Sequence, residues 1–372
     1  MTIDLVLVGF GNVGRRFVRL LDESRLQLRR EHNLDTRVVG ITTRAHGQAF
    51  DARGLDAVRL AAAVDGGARV GPAAGTSSLF LRRALEQCRT AVRSGRLVVV
   101  ETTTLSIRDG QPALGHVRTA LRGGAHVVTA NKGPAAFAYQ ALKAAADRAD
   151  RWFLFESAVM DGVPIFNLRR ATLPALTITG FEGVVNSTTN HILTAMENGQ
   201  PFDDALAAMQ QAGIAEADAS LDVDGWDAAA KTAALANALL GANITPHSID
   251  REGIRSVTTE RLAAARTSGR RLKLVASAAR SGDAVRASVR VVERPGSDLL
   301  AQLEGQENAL VLRTDRLGDI AIVQRGSGLT LTAYGLLSDL VAIGRDWKPT
   351  RATRQPPPPA RRGRTRSARG RR

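Results

Sequence analysis

Gly9-Phe10-Gly11-Asn12-Val13-Gly14 follows the apolar run Leu5-Val6-Leu7-Val8 and leads straight into Arg15-Arg16-Phe17-Val18-Arg19-Leu20-Leu21. The run before it is short, continuous and apolar, as in a strand buried on both faces. The run after it places its apolar residues at helical spacing. A G-x-G-x-x-G turn between strand and helix has a physical use at each glycine. Gly9 permits the tight turn, Gly11 lets backbone approach a pyrophosphate, and Gly14 allows close helix–strand packing. The helix start adds free N–H groups and a positive dipole end. Gly9, Phe10, Gly11, Asn12, Val13 and Gly14 are therefore expected to hold a dinucleotide. A packed turn with no ligand is the plain alternative.

Working outward, strand and helix signals alternate. Arg37–Ile41 reads as a strand, Leu79–Ser94 as a helix, Leu97–Val100 as a strand, Gly115–Arg122 as a helix and His126–Thr129 as a strand. This predicts an α/β fold, a doubly wound parallel sheet of Rossmann type. Past about Asn131 the texture changes. Leu176–Val185, Ala284–Val292 and Ala309–Val323 look like half-buried sheet, and Phe202–Gln211 and Trp226–Leu240 like alanine-rich helices. The expected organisation is a dinucleotide domain over 1–133, completed by about 309–343, and an α+β catalytic and dimerisation domain over 134–308. A Pro/Arg-rich tail over 344–372 follows, expected to be disordered because it has almost no apolar surface to bury.

The chain has 372 residues, 44% of them hydrophobic, which fits two domains. Its net charge of +15 is uneven. Residues 345–372 hold eleven Lys and Arg against the single acid Asp346, so the tail carries +10 and the body +5. A body so weakly basic does not read as a nucleic-acid binder. The tail lacks interleaved aromatics, so nonspecific phosphate contact is the most it offers. No apolar run reaches the roughly 20 residues of a membrane span. No leader pattern is visible at the start. Cys88 is the only cysteine, which rules out an intrachain disulfide. These features predict a cytoplasmic protein with no membrane partner.

An acid at the end of the second strand would select NAD by accepting from the ribose hydroxyls. Here that strand runs Val38-Val39-Gly40-Ile41-Thr42-Thr43-Arg44, with no acid. Arg44 is placed to pair with a 2′-phosphate, which points to NADP, with NAD as the other option; a solvated loop arginine is the plain alternative. Farther on, Glu216–Lys231 sets five carboxylates before one lysine. Asp227 and Lys231 are four apart on a helix starting near Gly225, so they share a face. A lysine there could move the alcohol proton; spacing alone equally allows a surface ion pair. Asn131-Lys132 ends a strand on the edge where doubly wound sheets bind ligands. Val185–His191 is a polar knot that also suits a helix cap, with Ser187 or Thr188 as the capping hydroxyl.

Taken in order, Gly9–Gly14, Thr129-Ala130-Asn131-Lys132-Gly133-Pro134, Glu156–Pro164, Val185–Asn190 and Glu216–Lys231 resemble homoserine dehydrogenases. The likeness runs from residue 1 to about 343 and is closest to the short form, without aspartate kinase or ACT domain. It implies interconversion of L-homoserine and L-aspartate semialdehyde in threonine, methionine and isoleucine biosynthesis. It implies Lys231 as general acid/base, with Lys132 between nicotinamide and substrate and Asp227 in the catalytic group. Glu216 and Asp227 would hold the amino acid, and Asp222 would support them. Thr102, Thr103, Lys132, Gly213 and Gly328 would touch the cofactor. A monovalent cation such as sodium would sit on backbone carbonyls at Glu156, Val159, Asp161 and Val163. A homodimer is implied, meeting through the second domain's sheet. The sequence departs from the pattern at Ser187, Ala219 and Met160-Asp161.

Aspartate-semialdehyde dehydrogenase chemistry needs a thiol nucleophile, and Cys88 lies in an expected helix as a small filler. Zinc is not expected, because the six histidines show no ligand spacing; most read as surface or cap residues.

Overall fold

The computed structural model describes residues 1–72, 75–211, 218–282 and 284–347. Gly213, Glu216 and the basic tail beyond Trp347 lie outside the described residues.

Two six-stranded sheets organise the chain. The first comprises β1 (Thr2–Val8), β2 (Asp35–Thr43), β3 (Gly47–Phe50), β4 (Leu97–Glu101), β5 (His126–Thr129) and β6 (Phe153–Leu154), in the order β3-β2-β1-β4-β5-β6. All neighbours pair parallel except β2 with β3, which form an antiparallel hairpin at one edge. The alternation of side chains along β1 explains the double cover. Ile3, Leu5 and Leu7 enter the core beneath the helices Asn12–Glu23 and Leu329–Asp346, and Val6 and Val8 enter the core on the opposite face. Burying each such side chain stabilises the fold by about 1.5–3 kcal/mol. The order reverses at β1, so a crevice opens beyond its carboxyl end, between the loops after β1 and β4.

The second sheet comprises β7 (Ile178–Val184), β8 (Asp250–Arg251), β9 (Arg270–Ser281), β10 (Ala284–Pro295), β11 (Asn308–Thr314) and β12 (Asp319–Gln324), in the order β12-β11-β7-β9-β10-β8. Phe181, Ala276, Ala278, Leu310 and Leu312 bury one face in the core shared with the alanine-rich helix Trp226–Leu239. This helix also packs on the helix Gly133–Ala149, which leaves β5. The two domains thus meet along a pair of helices.

Sheet membership corrects the expected domain bounds. β6 lies beyond residue 133 yet belongs to the first sheet, because Val127 and Val128 pair with Phe153 and Leu154. β11 and β12 complete the second sheet, since Ala309–Thr314 pair with β7. Only the helix Leu329–Asp346 returns to the first domain, burying Ala333, Leu336, Leu340 and Ile343. The expected single helix Leu79–Ser94 divides into Ser77–Gln87 and Arg89–Arg93 at Cys88, which caps both pieces. Among the described residues, no helix is long and apolar enough to cross a membrane.

Candidate active site

The glycine turn separates two kinds of constraint. Gly9 has φ +100°, and a Cβ there would lie 2.6 Å from the carbonyl carbon of Thr102. A Cβ on Gly14 would lie 3.0 Å from the Gly9 oxygen. Chain packing alone requires these two. Gly11 is different: it caps the helix Asn12–Glu23, and a Cβ there would meet nothing within 4 Å. The open space stands before free helix N–H groups, where a pyrophosphate fits. Phe10 turns into the core and Val13 packs against it, so their side chains are structural. Asn12 accepts from Arg15 Nη2 at 2.7 Å. Thr102 donates its N–H to Val8 at 2.8 Å and its hydroxyl to Gly9 at 3.1 Å, fastening the loop after β4 to the turn. Gly328 caps the helix Leu329–Asp346, whose Thr330 hydroxyl accepts from Arg16 Nε at 2.9 Å. That brings Gly328 to the same end of the domain. Arg44 is exposed in the turn between β2 and β3.

The charged half comes from both domains. Lys132 caps the helix Gly133–Ala149 after β5. Asp227 and Lys231 stand one turn apart on the helix Trp226–Leu239, which begins at Gly225 with φ +78°. Lys132 Nζ is 2.9 Å from Asp227 Oδ1, and Lys231 Nζ is 2.9 Å from Asp227 Oδ2. Lys231 also donates to the Val185 carbonyl at 2.7 Å. Only 14–17% of these three side chains is exposed, so the pair is not the surface salt bridge that spacing allowed. Burial pushes the Asp227 carboxyl upward, but the ammonium groups of Lys132 and Lys231 outweigh it and hold the group well below the carboxylate range. Burial likewise pulls on Lys231, and Asp227 outweighs it, raising that amine above the ordinary lysine value. Asp222 is pushed up by burial and by the Asp227 charge.

Asn186 joins these acids and was not singled out in the sequence. Its Nδ2 donates to Asp222 Oδ1 at 2.7 Å and to Asp227 Oδ2 at 2.8 Å. Its Oδ1 accepts the Thr189 N–H at 2.8 Å, so Asn186, not Ser187 or Thr188, caps the helix Ser187–Glu197. The available signal was an Asx cap opening a Ser-Thr-Thr helix; its acid partners are 36 and 41 residues away.

The loop expected to hold a cation is tightly built. The Glu156 carboxylate is buried and accepts the N–H groups of Ile165, Phe166 and Asn167 at 2.6, 2.9 and 2.6 Å. Asp161 has φ +51°, and its side chain accepts from Gln324 at 2.9 Å and Thr332 at 2.8 Å. Both carboxylates are thus occupied within the chain. Among the described residues, the carbonyls of Val159, Asp161 and Val163 accept no hydrogen bond. No cluster of His, Cys, Asp or Glu suited to a metal occurs among the described residues.

Four of the six histidines are at least partly exposed, as expected for most of them; two are not. His116 and His126 are buried. His126 Nδ1 accepts the Trp152 N–H at 3.0 Å and its Nε2 faces the Gly95 carbonyl at 3.2 Å; burial pushes its pKa down to about 4. Cys88 is buried, and burial pushes its thiol up to about 11, against a nucleophilic role.

A Rossmann-type domain with an open glycine turn, joined through Lys132 to a buried Asp227–Lys231 pair of a second domain, defines a nicotinamide-dependent dehydrogenase. Family models bear this out: "Homoserine dehydrogenase, NAD binding domain" matches residues 9–156 and "Homoserine dehydrogenase" matches residues 164–341. The NAD(+)-dependent homoserine dehydrogenase of Pseudomonas canavaninivorans is 36% identical over 91% of this chain and 95% of its own length. The homoserine dehydrogenase of Methanocaldococcus jannaschii is 32% identical over 92% and 98%. The crystal structure of a homoserine dehydrogenase from Thiobacillus denitrificans superposes with a TM-score of 0.76 at 29% identity, covering 93% of this chain and 74% of that one. The chain belongs to the homoserine dehydrogenase family, NAD(P)-dependent oxidoreductases that act on a CH–OH group.

Proposed function

We propose that this chain interconverts L-homoserine and L-aspartate semialdehyde, with Lys231 as general acid/base. The observation that carries this is the bridge Lys132–Asp227–Lys231, which gathers two ammonium groups on one carboxylate at the mouth of the first sheet. The coenzyme, when bound, supplies the hydride acceptor or donor. In oxidation, the neutral Lys231 amine takes the alcohol proton; in the reverse direction the ammonium returns it to the carbonyl oxygen. Asp227 and Val185 aim that amine, and Lys132 is a second proton carrier beside the substrate. Asp227 and Glu216 hold the amino acid, and Asp222 supports them through Asn186. Gly9–Gly14, Thr102, Thr103, Gly213 and Gly328 hold the coenzyme. The decisive assay follows nicotinamide reduction with L-homoserine. Lys231→Ala and Asp227→Ala are expected to lose at least ~100-fold in rate; near-normal turnover in Lys231→Ala would remove the mechanism.

NADP preference is the finer part of the reading. It is supported by the missing acid at the end of β2 and by the exposed Arg44 beyond it. Arg44→Ala should raise the KM for NADP and leave that for NAD unchanged; equal use of both coenzymes by the parent chain defeats it. Sodium on the carbonyls of Glu156, Val159, Asp161 and Val163 is supported by the three unpaired oxygens, a hard donor set. There it would stiffen the loop; equal rates in sodium, potassium and choline salts would count against it. A homodimer is supported by the second sheet's outer face. Ala321, Val311, Glu182, Ser277 and Ser288 register across five strands away from the helices. Light scattering at monomer mass overturns it. The same reading places the enzyme in the cytoplasm, and a cell-fractionation experiment that finds it elsewhere corrects it.

A further inference from the structure

Glu101 closes β4, is fully buried, and stands next to the loop expected to touch the coenzyme. The proposed chemistry gives it no role. Its Oε1 accepts the Thr103 N–H at 3.2 Å and the Thr103 hydroxyl. Its Oε2 accepts the Thr129 hydroxyl at 3.0 Å, across to the end of β5. His116 Nδ1 lies 3.5 Å away on the helix behind. The Thr129 oxygen in turn accepts the Asn131 N–H at 2.9 Å. Asn131 Nδ2 donates back to the Thr103 carbonyl at 2.9 Å, and Asn131 Oδ1 accepts the Gly133 N–H at 2.8 Å. The hydrogen bonds form a closed ring, Glu101–Thr129–Asn131–Thr103. Lys132 is held between Asn131 and Gly133, at the ring's margin.

We infer that Glu101 is a positioning residue that sets the spacing between the coenzyme loop and Lys132. Two loops leaving adjacent parallel strands have no ladder hydrogen bonds between them. A buried acceptor serving both replaces the ladder. The Thr103 N–H and the Thr103 and Thr129 hydroxyls all point at the carboxylate, whose two oxygens accept on both sides, whereas an amide presents hydrogens on one side. The ring also reaches the second domain, since Lys132 carries its position to Asp227 at 2.9 Å. The inference rests on the proposed dehydrogenase reading for the identity of the two loops.

Thr129→Val tests it without altering a charge: it keeps the shape and removes both the donor to Glu101 and the acceptor for Asn131. The expected result is a loss of about 10- to 100-fold in kcat/KM, the scale of a misplaced reacting group. The loss should fall on kcat and on the coenzyme KM. The L-homoserine KM should stay within about twofold, since the second domain holds the amino acid. Glu101→Gln should lose activity in the same pattern, and the double variant should be no worse than the poorer single one, as members of one ring are not additive. Thr129→Ser restores the hydroxyl and should recover most of the activity. Thermal unfolding of each variant separates this from loss of fold. Unchanged kcat and coenzyme KM in both single variants, or fully additive losses, overturn the inference. If the parent chain fails to oxidise L-homoserine, the functional reading fails instead. Titration of NADPH fluorescence then still tests the ring, with unweakened binding to Thr129→Val counting against it.

Discussion

The two halves of the site are built by different means. On the first domain, recognition comes from backbone: a glycine turn, a helix start and short hydroxyl side chains, all close to β1 and β4. The other half comes from ionised side chains held out of water, mostly on the second domain, where Asp227 faces its own Lys231 and Lys132 of the first domain, and Asn186 spans two acids. The backbone half needs space, and Gly11 provides it. The charged half needs compensation, because each buried charge must find a partner or lose its charge. Changes to the two halves should therefore fail differently: loss of coenzyme affinity on one side, loss of proton transfer on the other.

The largest test lies in pH. Lys231 has a folded pKa above its ordinary value, so its charge stabilises the fold below that value and the contribution is lost only as pH rises through the higher folded value. Across neutral pH it is an ammonium. Homoserine oxidation, which needs the free amine, should climb about tenfold per pH unit between about pH 7 and 10. A flat profile there would break the assignment. Next comes Asn186→Ala, which removes donors to two carboxylates. The bond to Asp227 bears on proton transfer; at about 1.5–3 kcal/mol for one hydrogen bond to a charged group, kcat/KM should fall at least about 10- to 150-fold. Coenzyme affinity measured by fluorescence should hold; if it falls equally, the halves are not separable.

Within the backbone half, Gly9→Ala and Gly11→Ala sharpen the contrast. Gly9→Ala should cost at least about 1–3 kcal/mol in denaturant unfolding, from positive φ and the clash with Thr102. Gly11→Ala should leave stability alone and weaken coenzyme binding. Equal stability losses would show that Gly11 serves packing. Lys273, outside both halves, should affect stability alone and leave catalysis untouched. Its ammonium is buried against Asn190 at 2.9 Å and the Leu303 carbonyl, and burial pushes its pKa down to about 8. The unfolded chain binds the extra proton above that value, so this group adds stability as pH rises from about 8 toward the ordinary lysine value. Lys273→Met should erase that rise, a difference of about 1–3 kcal/mol by chemical denaturation at the two pH values.

The alternation of β1, β2, β4 and β5 with helices was legible because strands buried on both faces are continuous apolar runs. The helices Phe202–Gln211 and Trp226–Leu239 were legible from their alanine content, which is likewise a local property. The edge hairpin strand β3 was not read, since Gly47–Phe50 is short and only half-buried. The allegiance of β11 and β12 was misjudged because a strand's own residues do not say which sheet it will pair with. Cys88 broke an expected helix where no proline or glycine marked the place.

By itself, the sequence determined the doubly wound half, the glycine turn and the spacing that puts Asp227 and Lys231 on one helical face. These follow from dihedral preference and side-chain period, which need only near neighbours. Tertiary structure alone decided that Lys132 joins that pair, that Asn186 spans Asp222 and Asp227, and that Glu101 ties two strand ends together. Those partners are far apart along the chain, and they meet only when the chain has folded and closed water out around them. Burial and proximity of that kind belong to the packed molecule, so no local stretch of residues encodes them in readable form.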